Sequence, residues 1–162
     1  MSHPAPSPAD IEALADSLSA SADELHASIM RAIRRNGTAQ DGAADAGPPV
    51  TQAEAQALFE QEVTLRQQAN SLYVDSARFA VAGLGVPAQE LLGLATQARE
   101  TIRRIDRTKD IAGIVASLLG LAGAIVGHQP KDAAAAFEDL KDNLAAFKAD
   151  SQKPDDAPTM GT

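Results

Sequence analysis

Hydrophobic and polar positions in the first part of the chain follow the three- and four-residue spacing of an amphipathic helix. The large aliphatic residues advance by threes, fours and sevens, with Ala22 filling the gap, and they are Ile11, Leu14, Leu18, Leu25, Ile29 and Ile33. Ser7-Pro8-Ala9-Asp10 is typical of a helix start, and Asn36-Gly37 is typical of a helix end. The pattern therefore predicts a helix at 8–35 after a disordered N-terminus at 1–7.

A flexible linker is predicted at 36–50, because residues 36–49 contain three glycines, two prolines and no large apolar side chain. Thr51-Gln52-Ala53-Glu54 then matches a capping box, which predicts the start of a second helix. That helix carries a large apolar residue at every seventh position, with small residues between them, and the large ones are Leu58, Leu65, Leu72 and Phe79. Alternation of large and small layers predicts close antiparallel packing, so these four are candidate packing or interaction residues.

A third helix is predicted after the Gly83-Leu84-Gly85-Val86-Pro87 break. Its inward positions are Leu91, Leu94, Ala95, Ala98, Ile102 and Ile105, and its outer face and end are rich in cations. The charged segment at 106–110 leaves two structures open, a kink or one long helix that continues into the next segment.

The segment at 111–127 is the strongly apolar segment around which the other helices are expected to pack, because it has no charged residue and one hydroxyl, Ser117. About seventeen helical residues reach roughly 25 Å, which suits either a buried core helix or a short membrane span. Gly120, Gly123 and Gly127 are candidate packing notches, since glycines four apart let another helix backbone approach closely. A last helix follows to about residue 149, and a disordered tail is predicted at 151–162.

The composition favours an all-α fold. Alanine dominates the apolar residues and aromatics are only 3%, whereas a sheet would require more valine, isoleucine and aromatics. We expect an antiparallel bundle of four to five helices, in which the amphipathic helices surround the helix at 111–127 and residues 51–150 form the core.

Charge and chemistry exclude several functions. The net charge of −8 disfavours nucleic acid as a partner. The chain has no cysteine, and Asp23 with His26 supplies only half of a bundle metal site. No residue set matches a catalytic triad or a phosphate loop. We therefore expect no enzyme activity, no metal and no cofactor.

A cationic group precedes the apolar segment and consists of Arg99, Arg103, Arg104, Arg107 and Lys109. Acidic residues share the segment, so a solvated helix face is one interpretation. Contact with lipid headgroups is the other, because cations beside an apolar segment are typical of the cytoplasmic flank of a membrane span.

Two functions fit these patterns. The first is a non-enzymatic helical interaction or assembly protein that binds a protein partner or copies of itself, expected in the cytoplasm or exported without a cleaved signal peptide. The second is a membrane-inserting or pore-forming protein that uses residues 111–127. We favour the first, because the amphipathic stripes need apolar partners and the other helices of the chain provide them.

Overall fold

The computed structural model describes residues 6–40, 50–105 and 107–152. These residues form six helices and no strand: α1 (Pro8–Gln40), α2 (Gln52–Val74), α3 (Ser76–Ala82), α4 (Ala88–Arg104), α5 (Thr108–Val126) and α6 (Pro130–Gln152). The all-α class is confirmed, with six helices packed against each other where the sequence predicts four to five.

The start of α1 is a reciprocal capping box. The Asp10 amide donates to Ser7 Oγ at 3.1 Å, and the Ser7 amide donates to Asp10 Oδ2 at 3.0 Å. The end of α1 differs from the predicted end at residue 35, since the helix continues to Gln40. Asn36-Gly37 permits a helix end without enforcing one, because glycine adopts helical backbone angles at a modest cost. The rest of the predicted linker, residues 41–49, lies outside the described residues, as do residues 1–5 and 153–162.

The predicted second helix is divided at Asp75, whose backbone angles of −111° and 27° leave the helical range. Thr51 caps α2 by accepting a bond from the Glu54 amide at 3.0 Å. The heptad residues of α2 and α3 are all buried, at 0–3% exposure, and they are Leu58, Leu65, Leu72 and Phe79.

Glycine is required at the turn from α3 to α4. Gly83 and Gly85 have φ of +83° and +76°, a region that side-chain-bearing residues rarely adopt. A Cβ at Gly85 would also lie 2.9 Å from the carbonyl oxygen of Pro130. The turn therefore brings the start of α4 close to the start of α6.

The helices on either side of residue 106 are separate, which decides the question that the sequence leaves open. Ile105 and Arg107 are extended, with ψ of 134° and 119°. The Ile105 side chain is buried at 3% exposure. The extended residues therefore end α4 before α5 begins, and α5 still contacts α4.

Side-chain pairs establish the direction of the neighbouring helices. Pairs between α1 and α2 run in opposite order along the chain and are Asp16–Tyr73, Asp23–Arg66 and His26–Glu62, and Glu12–Ser76 continues the order onto α3. Pairs between α2 and α5 run in the same order and are Glu54–Thr108, Gln61–Ala112 and Gln68–Leu119. Thus α1 is antiparallel to α2, whereas α2 and α5 are parallel. Helix α5 contacts α1, α2, α4 and α6.

Candidate interaction surfaces

Helix α5 has a buried side and an uncovered side. The buried side holds its large residues, which include Ile111, Val115, Leu118 and Leu121. The uncovered side consists of Gly113, Ala116 and Gly120, which are all exposed. A Cβ added at Gly113 or Gly120 would meet no atom within 4 Å. We call this row the α5 face; it is uncharged but exposes only small residues.

Two glutamines of α2 border the α5 face. Gln61 Nε2 donates to the carbonyl oxygen of Ala112, and Gln68 Nε2 donates to that of Leu119, both at 3.4 Å. Their Oε1 atoms are buried and have no hydrogen-bond partner among the described residues. Gln61 and Gln68 are seven residues apart in α2, and their acceptors Ala112 and Leu119 are seven residues apart in α5. The same contact therefore repeats every two turns along the two parallel helices.

The other border of the α5 face is formed by α6. Asn143 Nδ2 donates to Ser117 Oγ, and Ser117 Oγ donates to the carbonyl oxygen of Gly113 at 3.3 Å. Ser117 is the one hydroxyl of the apolar segment. Its polarity is therefore satisfied within the bundle, and the α5 face keeps its uncharged, weakly polar character.

The three predicted packing glycines have different surroundings. Gly120 faces open space, and a Cβ at Gly123 would lie 3.3 Å from Gln68 Nε2. Gly127 ends α5, and its amide donates to the Gly123 carbonyl oxygen at 2.9 Å. No backbone of a neighbouring helix lies within 4 Å of the Cβ position of Gly120 or Gly123. Among the described residues, the close approach of helices that these glycines predict is thus not made at those two positions.

The cationic group lies where α4 ends and α5 begins. Arg99 pairs with Glu100 at 3.4 Å. Arg103, Arg104, Arg107 and Lys109 are exposed, and none forms an ion pair with another residue in the part of the chain that the structure describes. Two clefts of about 410 and 450 Å³ flank these cations, and Phe147 of α6 lines both. This end of the bundle therefore combines unpaired positive charge with an apolar side chain.

A third surface runs along the outer side of α2 and α3, roughly opposite the buried heptad residues. Val63, Val74 and Val81 are 54%, 72% and 88% exposed. Gln67, Asn70 and Ala77 are exposed between them. These six positions alternate at spacings of four and three, the pattern of a coiled-coil seam. We call them the valine stripe. The sequence pattern does not reveal the valine stripe, because two amides interrupt its apolar character.

Asp23 and His26, the half metal site of the sequence analysis, form polar contacts between α1 and α2. His26 Nδ1 lies 2.9 Å from Glu62, and Arg66 lies 3.0 Å from both Asp23 and Glu62. The Tyr73 hydroxyl donates to Asp16, and this bond raises the pKa of Tyr73 to about 12. Within the described ranges, no three His, Asp or Glu residues are grouped as metal ligands would be.

A groove of about 770 Å³ lies between α1 and α2. Ile33, Val50, Phe59 and Val63 supply its apolar lining. Val50, the first described residue after 40, lines it together with Thr51 and Gln52. The groove is continuous with the valine stripe through Val63.

Comparison with protein-family models, with curated proteins and with solved structures finds no match. Functional inference therefore depends on the chain's own surfaces. Among the described residues, α5 is the one helix long and apolar enough to cross a membrane, and 44% of its apolar window is buried in the bundle. A core helix of a soluble protein meets the same criterion.

Proposed function

We propose that this protein is a non-enzymatic helical interaction protein, whose α5 face receives an apolar helix of a partner or of another copy. The observation that carries the proposal is the contrast within α5. The most apolar segment of the chain leaves Gly113, Ala116 and Gly120 uncovered. Small residues let a second helix backbone approach closely, so the α5 face suits helix packing better than a small-molecule site.

The expected affinity is modest. Gly113, Ala116 and Gly120 offer little area to bury, and association costs roughly 4 to 15 kcal/mol in lost motion. Polar contacts at the borders of the α5 face therefore contribute much of the strength of binding.

Charge favours a protein partner over nucleic acid. The net charge of −8 repels phosphate backbones, and the cationic group has no exposed aromatic row on which bases stack. The proposal involves no cofactor and no chemical step.

The alternative function is membrane insertion of α5, possible because the cations at its N-terminal end match a positive-inside flank. Arg107 and Lys109 are exposed and immediately precede the apolar segment. Insertion would require α5 to leave its contacts with α2 and α6. Those contacts bury its large side chains, so we favour the interaction function.

A photoreactive amino acid at Ala116 tests both functions in the cells that make the protein. Ala135, which is exposed on α6, is the matched control position. We expect a discrete protein adduct from position 116 and none from position 135. Gly120→Glu should abolish the adduct without loss of folding, because its side chain enters open space and glutamate favours helix over glycine by roughly 0.5 to 1 kcal/mol.

Each result discriminates between the functions. A protein adduct that is lost in Gly120→Glu supports the interaction function. Adducts with lipid alone, in the membrane fraction, support insertion and contradict the proposal. Absence of any adduct specific to position 116, with the protein folded and soluble, contradicts both functions.

A further inference from the structure

The valine stripe is the most exposed apolar feature of the described residues. Val81 and Val74 are 88% and 72% exposed, and apolar residues that line up along one helix side are more informative than scattered ones. The helical hydrogen-bond pattern continues across the α2–α3 junction, since the Asp75 amide donates to Ser71 at 3.1 Å and the Phe79 amide donates to Asp75 at 3.0 Å. The stripe therefore extends from α2 onto α3.

We propose that the valine stripe pairs with the valine stripe of a second copy, in antiparallel orientation about a two-fold axis. This inference rests on the proposed interaction function and names a second copy as the occupant of this surface. Antiparallel coiled coils place one set of seam positions opposite the other. In the register that we propose, Val63 faces Val74 of the second copy, and Gln67 faces Asn70 of the second copy.

Charge complementarity selects this register. Glu60 lies three residues before Val63, at the end of the stripe, and Arg78 adjoins Ala77. Both are exposed and form no ion pair with another described residue. Pairing Val63 with Val74 places Glu60 opposite Ala77 of the second copy, and therefore beside Arg78 of that copy. Two-fold symmetry makes this ion pair twice.

The centre of the pairing is polar. Gln67 and Asn70 carry amides that both donate and accept, so they satisfy each other across the axis. A polar residue at a seam position lowers affinity and specifies register. Net charge of −8 on each copy opposes association at low salt. A weak dimer with one register is therefore expected.

A mixing experiment with cysteine variants tests the register, because the chain has no cysteine of its own. Full-length Val63→Cys and Val74→Cys proteins are oxidised separately and as a mixture. In the proposed register each cysteine lies about 16 Å from its own symmetry mate, as 11 helical residues at 1.5 Å each require. We expect a disulfide dimer in the mixture and little in either protein alone. Ala135→Cys mixed with Ala145→Cys, both on the exposed side of α6, is the control pair.

Other outcomes overturn the proposal. Disulfides within each separate protein at equal efficiency indicate a parallel pairing. A mixture of Val63→Cys and Val81→Cys that links better than Val63→Cys with Val74→Cys indicates a shifted register. If sedimentation equilibrium shows only monomer at millimolar concentration, the proposed pairing is wrong. None of these results affects the photoadduct at Ala116, which lies on α5, so the two proposals fail separately.

Charge reversal provides the second readout. Glu60→Arg places two cations together and should weaken the dimer about threefold to tenfold, as expected for exposed ion pairs. Arg78→Glu alone should weaken it similarly. The double variant should restore the parental dissociation constant. Weakening that the double variant does not reverse would show that Glu60 and Arg78 do not meet.

Discussion

Helices α1 and α5 contrast most clearly in how well their surfaces match their surroundings. Helix α1 is a polar rod with one apolar stripe. That stripe is buried from Ile11 to Ile29, at 0–2% exposure, and only Ile33 at its end is exposed, at 38%. Helix α5 is far more apolar but is only partly covered. The most apolar helix thus leaves part of its apolar surface exposed, whereas α1 exposes mainly polar residues. An apolar surplus that the fold does not bury is evidence for an interaction, whereas an amphipathic stripe that is fully buried indicates only stability.

The polar sides of the two helices differ as well. Helix α1 is linked to α2 by side-chain bonds such as Tyr73–Asp16 and by the Arg66–Asp23 ion pair. Helix α5 has no charged residue between Ile111 and Gly127. In its described hydrogen bonds with neighbouring helices, α5 contributes mainly backbone carbonyl oxygens and the Ser117 hydroxyl. Helix α1 is therefore specified by its side chains, and α5 is held mainly by apolar packing.

The largest expected effect is loss of a core residue of α1. Leu18→Ala should lower the free energy of unfolding by about 2 to 5 kcal/mol, because Leu18 is 1% exposed and its removal leaves a cavity. Denaturant unfolding followed by circular dichroism measures the change. Val81→Ala, at a position 88% exposed, is the control and should change it by less than about 0.5 kcal/mol. Equal midpoints for Leu18→Ala and the parent would contradict the assignment of α1 to the core.

A matched pair of glycine substitutions separates the covered and uncovered parts of α5. Gly123→Leu forces Gln68 from its position 3.3 Å away, and we expect it to cost about 1 to 3 kcal/mol. Gly120→Leu enters open space and should instead stabilise the isolated monomer by about 0.5 to 1 kcal/mol through helix propensity.

Thermal unfolding of the two variants at a concentration where the protein is monomeric distinguishes them. Relative to the parent, the melting temperature should fall in Gly123→Leu and rise in Gly120→Leu, although the two shifts need not be equal in size. Destabilisation by Gly120→Leu would show that the α5 face is covered within one copy.

The smallest expected effect is a change in the pKa of Tyr73, whose hydroxyl donates to Asp16 on the polar side of α1. Tyr73 is the one tyrosine and the chain has no tryptophan, so ultraviolet absorbance of tyrosinate reports on this residue alone. Its hydrogen bond to Asp16 raises the pKa to about 12 from the ordinary 10.0. The stabilisation is then complete below pH 10 and is lost as the pH rises towards 12.

A spectrophotometric titration should therefore have its midpoint near pH 12 in the parent and close to 10, the ordinary tyrosine value, in Asp16→Ala. Circular dichroism at the same pH values verifies that the helices persist. A parent midpoint near 10 with the helices intact would contradict the Tyr73–Asp16 bond.

Much of the fold can be read from local pattern. The Ser7 and Thr51 caps, the buried heptad residues from Leu58 to Phe79, and the Gly83-to-Pro87 turn depend on residues close in sequence. Local signals were less reliable at helix ends. Asn36-Gly37 did not stop α1, and Asp75 interrupts the predicted second helix although no proline or glycine marks it.

The candidate surfaces depend on what the other helices cover. The apolar segment was evident from its composition, but periodicity does not show which of its sides a neighbour leaves free when nearly every side is apolar. The valine stripe was equally hard to recognise, because Gln67 and Asn70 make it resemble an ordinary solvated face.

The sequence by itself determined the all-helical class, the identity of the apolar helix and the residues of the buried stripes, because helix propensity and periodicity act over a few turns. Tertiary structure alone decided that α2 and α5 run parallel, that Gln68 rather than a helix backbone fills the space at Gly123, and that Gly113, Ala116 and Gly120 remain open. These features depend on long-range packing, in which the burial of one helix side is determined by where the connecting segments place its neighbours.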